Sequence, residues 1–529
     1  NKGRNTYYLL PLLLGLMGLF YQAFAGEKGI QGFWVTFFLF FMTGLAIVLY
    51  LNQTPYQPRE RDYAYAGSFY AFCIWLGLGV PALIKGFRKF LPEVPAAALG
   101  TLLCLGVPTL MAAQNWDDHN RSDRTTARDF AYNYLMSCDE NGVIFTNGDN
   151  DTFPLWYIQE VEGVRTDVRV CNLSYLQTDW YVDQMRRPYY ESDALPIDWD
   201  RSLYANGKRD IARIMKLTED SISLETALEW VKTDAPRYKR IPGYDQQLDF
   251  VPSDKVFIPV DKDKVLANGY VDSSYADKIV PQMMVNLAGK SYLGKHELMI
   301  MEMLKTNNWE RPIYYAVTVE GSQFLGLKGS FLQEGLAYKV APVKSANGEP
   351  SVNTTKMYDL MMNTFRWANV KDSTIYLDEN NLRMCNTHRH MMASLAMALY
   401  NEEQYEKAEA VINKAMEELP TSSVPANYSI VDMAKVLYAM GKTQQAKDMI
   451  QVVANNSLQY LNWAYGFSPR QYRSANVMVN THLFTLQEIM SVLNQYDKDL
   501  FNAYMPDFQK HGQLFQQNMS MAARMGRNR

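Results

Sequence analysis

The sequence is poor in the residues that build self-contained catalytic or metal sites. Histidine occurs six times in 529 residues, and only His388 and His390 lie close together. An i, i+2 spacing sets the two rings on different sides of a helix, so the pair makes no zinc site, and a helix start near a C-terminal repeat is expected there. Cys73, Cys104, Cys138, Cys171 and Cys385 show no C-x-x-C spacing, which leaves no zinc ribbon or thioredoxin-like motif. One disulfide, such as Cys138 to Cys171, is open in an oxidising compartment, with buried free thiols the alternative. The sequence has no Walker loop, G-x-S-x-G elbow or H-E-x-x-H helix. It has no basic excess either: 52 Lys and Arg stand against 56 Asp and Glu, so no nucleic-acid partner is expected. A mostly disordered chain is excluded by 48% hydrophobic and 13% aromatic residues.

What the chain has in abundance is long uncharged runs. Residues 7–26, 32–51, 64–84 and 94–116 carry no charged side chain. About 20 residues at roughly 1.5 Å each cross about 30 Å of hydrocarbon, so four spans within residues 1–116 are expected in a lipid bilayer. Pro11, Pro81 and Pro108 are tolerable where neighbouring helices or water satisfy the freed carbonyls. The opening Asn-Lys-Gly-Arg has no apolar signal-peptide core and reads as the start of a piece of a longer polytopic protein. Basic residues balance across the spans: Lys2, Arg4, Arg59 and Arg61 on one side, Lys28, Lys85, Arg88 and Lys89 on the other. The dense run at 85–89 favours a cytoplasmic loop, which puts everything after Trp116 in the periplasm.

After Trp116 the composition turns polar, and a helix is expected over 125–137. Residues 143–145 read as a buried strand ending in a turn of Thr, Asn, Gly and Asp, followed by a helix at 153–161 and a strand at 167–173. Such a strand, helix, strand order predicts a parallel sheet. A helix at 297–304 and a strand at 312–319 predict a second such unit, and residues 185–290 offer only short elements. Beyond about residue 355 the pattern is helical. Ala396, Leu399, Tyr400 and Ala408 recur as Ala434, Leu437, Tyr438 and Ala446, an offset of 38 residues. Tyr405-x-x-Ala408 and Leu419-Pro420 match half of a tetratricopeptide repeat, the extra length being placed in residues 421–425, with flanking helices at 357–369 and 475–515 as caps. The expected architecture is therefore four membrane helices (1–116), an α/β soluble domain (117–354) and an all-α tetratricopeptide-like repeat domain (355–529).

Two clusters could carry chemistry. Arg59, Glu60, Arg61, Asp62 and Tyr63 stand directly before the third span. There guanidinium forks can hold a lipid-linked phosphate while a carboxylate orients an acceptor hydroxyl; the alternative is an interfacial anchor. Asp149, Asn150 and Asp151 follow the first strand of the α/β domain, where open sheets place ligands. Two carboxylates at i, i+2 can converge on acceptor hydroxyls or, more weakly, on a divalent cation. The competing structural role is a turn and a helix cap made by Asp151 or Thr152. The Trp and Tyr abundance, 10 and 35, suits stacking on sugar rings, as it also suits aromatic cores.

The ordered set Gln57-Pro-Arg-Glu-Arg-Asp-Tyr-Ala-Tyr-Ala-Gly-Ser-Phe-Tyr70, Thr146-Asn-Gly-Asp-Asn-Asp-Thr-Phe-Pro-Leu-Trp-Tyr157, Asn172-Leu-Ser, Thr178-Asp-Trp-Tyr181 and Asn308-Trp-Glu-Arg-Pro-Ile-Tyr314 resembles one family. It looks like the C-terminal half of a Bacteroidota polytopic membrane family described as a domain of unknown function, which is similar to protein O-mannosyltransferases of the GT-C glycosyltransferase fold. The resemblance implies a polyprenyl-phosphate sugar donor, a protein or glycan acceptor, an inner-membrane location and a periplasmic C-terminal domain. Relatives keep their catalytic acid in an N-terminal outer loop, so no catalytic residue carries over. A membrane-anchored scaffold, docking envelope-assembly partners on the α/β and repeat domains, is the rival expectation.

Overall fold

A computed structural model describes residues 5–53, 61–241, 246–345 and 347–527. The chain divides into two units, Asn1–Ser122 and Asp123–Arg529. The first contains α1 (Leu10–Ala23), α2 (Glu27–Thr43), α3 (Leu45–Leu51), α4 (Ala66–Phe87) and α5 (Glu93–His119). Three stretches, Glu27–Leu51, Asp62–Phe87 and Glu93–Asp117, are long and apolar enough to cross a membrane. The remaining expected span is shorter than its uncharged run: α1 has 14 residues, about 21 Å at 1.5 Å per residue. Tyr8 and Leu9 take left-handed backbone with φ 51° and 59°, and Pro11 sits in the first turn, so the helix starts late.

Small residues let these helices approach closely. A Cβ on Gly18 would lie 1.8 Å from the Trp75 carbonyl oxygen, and one on Gly79 2.4 Å from that of Leu14. The α1 and α4 backbones thus meet where no larger side chain fits. Trp75 Nε1 donates to Gln22 Oε1 at 2.8 Å, pairing the indole within that contact.

In the second unit α6 (Thr126–Met136) leads to a six-stranded sheet. Its strands are β1 (Val143–Thr146), β2 (Arg169–Asn172), β3 (Ile313–Ala316), β4 (Phe331–Glu334), β5 (Ala337–Val340) and β6 (Ser351–Val352), in the order β6-β4-β5-β3-β1-β2. β1 lies parallel to β2 and to β3, with Ile144 opposite Val170 and Tyr314. The first expected strand, helix, strand unit is present through α7 (Asp149–Glu162); in the second, α8 (Lys295–Asn307) leads into β3, but the strand before it, Tyr292–Gly294, pairs in a different sheet. β1, β2 and β3 are buried at every residue, as strands covered on both faces must be. The stretch with weak signals folds into two three-stranded sheets of short strands, Ile211–Ile214, Phe250–Val251 and Tyr292–Gly294 in one, Ile222–Ser223, Lys255–Pro259 and Gln282–Asn286 in the other. The architecture is thus a group of N-terminal apolar helices, a middle α/β region with mixed sheets and a C-terminal all-helical region.

No strand follows Val352 among the described residues. The helix expected at 357–369 is instead Thr354–Asp359 and a π-helical turn, Leu360–Thr364. Then come α9 (Glu379–Asn401), α10 (Tyr405–Glu418), α11 (Tyr428–Ala439), α12 (Thr443–Ala464), α13 (Asn476–Tyr496) and α14 (Lys498–Arg527). Ala396, Leu399 and Ala408 on α9 and α10, like Ala434, Leu437 and Ala446 on α11 and α12, are buried, so the 38-residue offset relates two helix pairs. His388 and His390 lie in the middle of α9, not at a helix start. Between them Arg389 is fully buried and donates to the carbonyls of Leu419 at 2.6 Å, Val424 at 3.0 Å and Pro425 at 2.9 Å. That guanidinium holds the loop between α10 and α11, and those carbonyls stand in for an acid partner. All five cysteines are free. Cys138 and Cys171 are free and buried, the buried-thiol alternative to a disulfide, and burial pushes both thiols up to about 12.

Candidate functional site

The Asp149, Asn150, Asp151 cluster sits at the carboxyl ends of β1 and β3. Gly148 caps α7 with φ 86°, a conformation that favours glycine, and the three residues form the first helical turn, not a preceding loop. No side chain caps the helix, so neither Asp151 nor Thr152 fills the expected capping role. Thr152 instead donates its hydroxyl to the Gly148 carbonyl at 2.7 Å and accepts Asn172 Nδ2 at 2.8 Å, which ties the ends of β1 and β2 together. The acidic side chains lie at the positive end of the helix macrodipole.

Asp149 and Asn150 are exposed and Asp151 is half-buried. Thr318, two residues beyond β3, donates its hydroxyl to Asp151 Oδ2 at 2.5 Å. Burial pushes the Asp151 carboxyl above its ordinary value, and the Thr318 hydrogen bond opposes this only in part. Tyr134 on α6 also interacts with Thr318; burial and then the Asp151 charge hold its phenol well above the usual range. These groups line a cavity of about 360 Å³ whose other wall is α9, through Arg383, Thr387 and His388.

His388 is stacked on Phe130, ring centroids 3.7 Å apart. Its Nε2 lies 3.2 Å from Asn133 Nδ2 and its Nδ1 2.8 Å from the Met384 carbonyl. An amide nitrogen only donates, so Nε2 accepts and Nδ1 carries the proton. Burial lowers the imidazole to about 4, so at neutral pH His388 shapes the cavity as an uncharged ring. Arg383 is exposed and ion-paired with Glu379 at 2.6 Å, and it brings a guanidinium to the acidic mouth. Asp151 Oδ2 accepts a hydroxyl donor, and among the described residues no three His, Cys, Asp or Glu gather as ligands.

Of the other cluster, Arg59 and Glu60 lie outside the described residues. Arg61, Asp62 and Tyr63 are exposed, with Asp62 and Tyr63 in the 3-10 turn Asp62–Tyr65 that precedes α4. Asp62 Oδ1 accepts the Tyr63 N–H at 3.0 Å.

Residues 127–360 match the protein family described as TMEM260-associated domain 2. The matched segment includes every strand of the large sheet and the Asp149 to Asp151 turn with Thr318; the α9 wall of the cavity lies beyond it. No curated protein and no solved structure matches the chain.

The acidic side of this cavity is legible in the sequence, whereas Tyr134, Thr318 and Arg383 are not, and His388 stands out there only beside His390, as an expected helix start. Thr318 carries no motif, and only the pairing of β3 beside β1 brings it to Asp151 across 167 residues. A second ionisable cluster went unnoticed on one face of the sheet. Asp139 accepts Tyr314 Oη at 2.7 Å and pairs with Lys339 and Lys356, each at 2.6 Å. Lys356 also pairs with Glu334 at 2.5 Å. Burial alone raises a carboxyl, but the two lysines hold Asp139 well below the usual carboxylate range.

Proposed function

We propose that this chain belongs to a membrane glycosyltransferase-like protein that moves a sugar from a polyprenyl-phosphate donor to a protein or glycan acceptor at the periplasmic face of a bacterial inner membrane. Arg59 and Arg61 hold the donor phosphate through guanidinium forks, while Glu60, Asp62 and Tyr63 orient it. The cavity at the ends of β1 and β3 presents the acceptor, whose hydroxyls meet Asp149, Asn150 and Asp151. The observation that carries the reading is Asp151, a carboxyl kept above its ordinary value in a ligand-sized cavity. Such a group accepts from a hydroxyl when ionised and donates to one when protonated. The apolar helices and the match to TMEM260-associated domain 2 support the same reading. No catalytic acid is assigned.

Membranes carrying the full-length protein and supplied with a polyprenyl-phosphate sugar test it. Arg59→Ala and Arg61→Ala are expected to abolish transfer, and Asp151→Asn to raise the acceptor KM. Unchanged transfer by Arg61→Ala at normal expression overturns the reading. A second reading, a membrane-anchored scaffold with tetratricopeptide-like hairpins, is favoured by Trp463, Val477 and Phe484, large apolar side chains exposed on α12 and α13. It expects lost partner capture and normal glycan profiles in a deletion strain.

A further inference from the structure

β2 is an edge strand, yet its outward backbone is closed to another strand. Tyr181 Oη accepts the Asn172 N–H at 3.0 Å and donates toward the Val170 carbonyl at 3.5 Å. A side chain therefore occupies the ladder that an added peptide needs. Outside Tyr181 opens a cleft of about 520 Å³, a size ordinary for small-molecule sites.

Its lining is aromatic. Trp156 and Tyr175 stack with ring centroids 6.2 Å apart, and Trp180 continues the row 6.0 Å from Tyr175. Trp180 is 56% exposed, a large flat face turned to water. Across the cleft Tyr189 and Tyr190 donate their hydroxyls to Glu160 at 2.9 and 2.7 Å, which fixes both rings and leaves the carboxylate lone pairs for more donors. Arg169 also lines the cleft and is 4% exposed. Its Nε and Nη2 are used by Ser192 Oγ at 3.2 Å and by backbone carbonyls, nearest that of Arg187 at 2.8 Å. Nη1 makes no hydrogen bond and no carboxylate pairs with this guanidinium among the described residues; its carbon lies 5.8 Å from the centroid of the Tyr189 ring.

The combination suits one ligand chemistry. A pyranose ring has an apolar C–H face that packs on an electron-rich aromatic face, and a rim of hydroxyls that pairs with a carboxylate and a guanidinium. One carboxylate and one guanidinium leave the cleft without a net charge, which favours a neutral sugar over a phosphorylated one. We propose that the cleft formed by Trp156, Tyr175, Trp180, Glu160, Arg169 and Tyr190 is a binding site for neutral oligosaccharide. This site is separate from the acidic cavity and does not depend on the transferase reading: saccharide binding can stand if transfer fails.

The test uses the full chain in phospholipid nanodiscs, since glycoside detergents are themselves sugars. An array of neutral gluco-, manno-, galacto- and N-acetylglucosamine oligosaccharides is probed first, and titration calorimetry follows with the strongest binder. Binding is expected, weakened at least tenfold by Trp180→Ala and less by Trp180→Phe, which keeps an aromatic face. The exposed position of Trp180 allows its variants to fold, and an unchanged melting temperature checks this. The proposal is overturned by absence of binding across the array, or by wild-type affinity in both Trp180→Ala and Trp156→Ala.

Discussion

Asp139 and Asp151 bracket the same strand, four residues before β1 and five after it, and the fold treats them oppositely. Asp139 is surrounded by Lys339, Lys356 and the Tyr314 hydroxyl; Asp151 receives one hydroxyl and faces a cavity. Both lose water, but only the first gains cations in return, and so its carboxyl falls while that of Asp151 rises. The difference separates two uses of a half-buried acid. A fully paired cluster fixes the sheet against the segment after β6, whereas an underpaired carboxyl stores a cost in the free protein that a ligand can relieve.

Breaking the paired side has the largest expected effect. Asp139→Ala leaves Lys339, whose side chain is 4% exposed, without a carboxylate; since the Asp139 side chain is itself 39% exposed and screened by water, stability is expected to drop by about 2 kcal/mol. A denaturant melt of the protein in nanodiscs measures it. The acceptor KM of the molecules that remain folded should not change. A loss below about 1 kcal/mol shows that the cluster behaves as a surface pair and removes one half of the comparison. The pH dependence has a definite sign: a depressed carboxyl stabilises above its unfolded value of about 3.9, and that stability is lost as pH falls through the folded value.

Asp151 gives the opposite sign. A carboxyl raised in the folded state favours folding at pH values below its unfolded value, and the contribution is lost as pH rises through the raised one. Asp151→Asn is therefore expected to match the wild type at pH 3 and to melt higher at pH 7, by roughly 1–3 °C. The same variant should raise the acceptor KM about tenfold, near 1.4 kcal/mol of lost binding. A variant that melts lower at pH 7 shows that the ionised carboxylate stabilises the fold and is a structural acid like Asp139.

The contrast between these acids was half visible in the sequence. Asp149 to Asp151 stand out because Gly, Asn and Asp cluster after an apolar strand, and the parallel pairing of β1 follows from strand, helix, strand spacing. Asp139 has no such flag: its partners arrive from β3, β5 and the segment after β6, and only register brings Tyr314 opposite Lys339. The short α1 shows the same limit, since an uncharged run reports solvent and not where a left-handed Tyr8 and Leu9 delay a helix. The Asp151 cavity draws one wall from α9, which the sequence reading assigned to a separate repeat domain. Arg389 carries no flag beside its histidine neighbours, although its buried guanidinium holds three loop carbonyls through Nη1 and Nη2.

The smallest expected effect isolates the one donor that Asp151 has. Thr318→Val removes a hydroxyl and keeps the branched shape, so Asp151 faces burial with nothing opposing it. A double-mutant cycle with Asp151→Asn is expected to give a coupling of about 1 kcal/mol at pH 7, the range of a hydrogen bond to a partly buried charged group. At pH 3, below the ordinary carboxyl value and further below the raised one, the carboxyl carries its proton, the bond is no longer charge-assisted, and the coupling should shrink. Thermal melts of the four proteins at both pH values measure it. Coupling that is equal at the two values shows that Thr318 is held by packing and not by the charge of Asp151. Asp151 then differs from Asp139 only in lacking cations, with no donor tuned to it. Coupling that grows with pH instead makes Thr318 the counterpart of Lys339, a weaker partner that leaves the carboxylate open to a ligand.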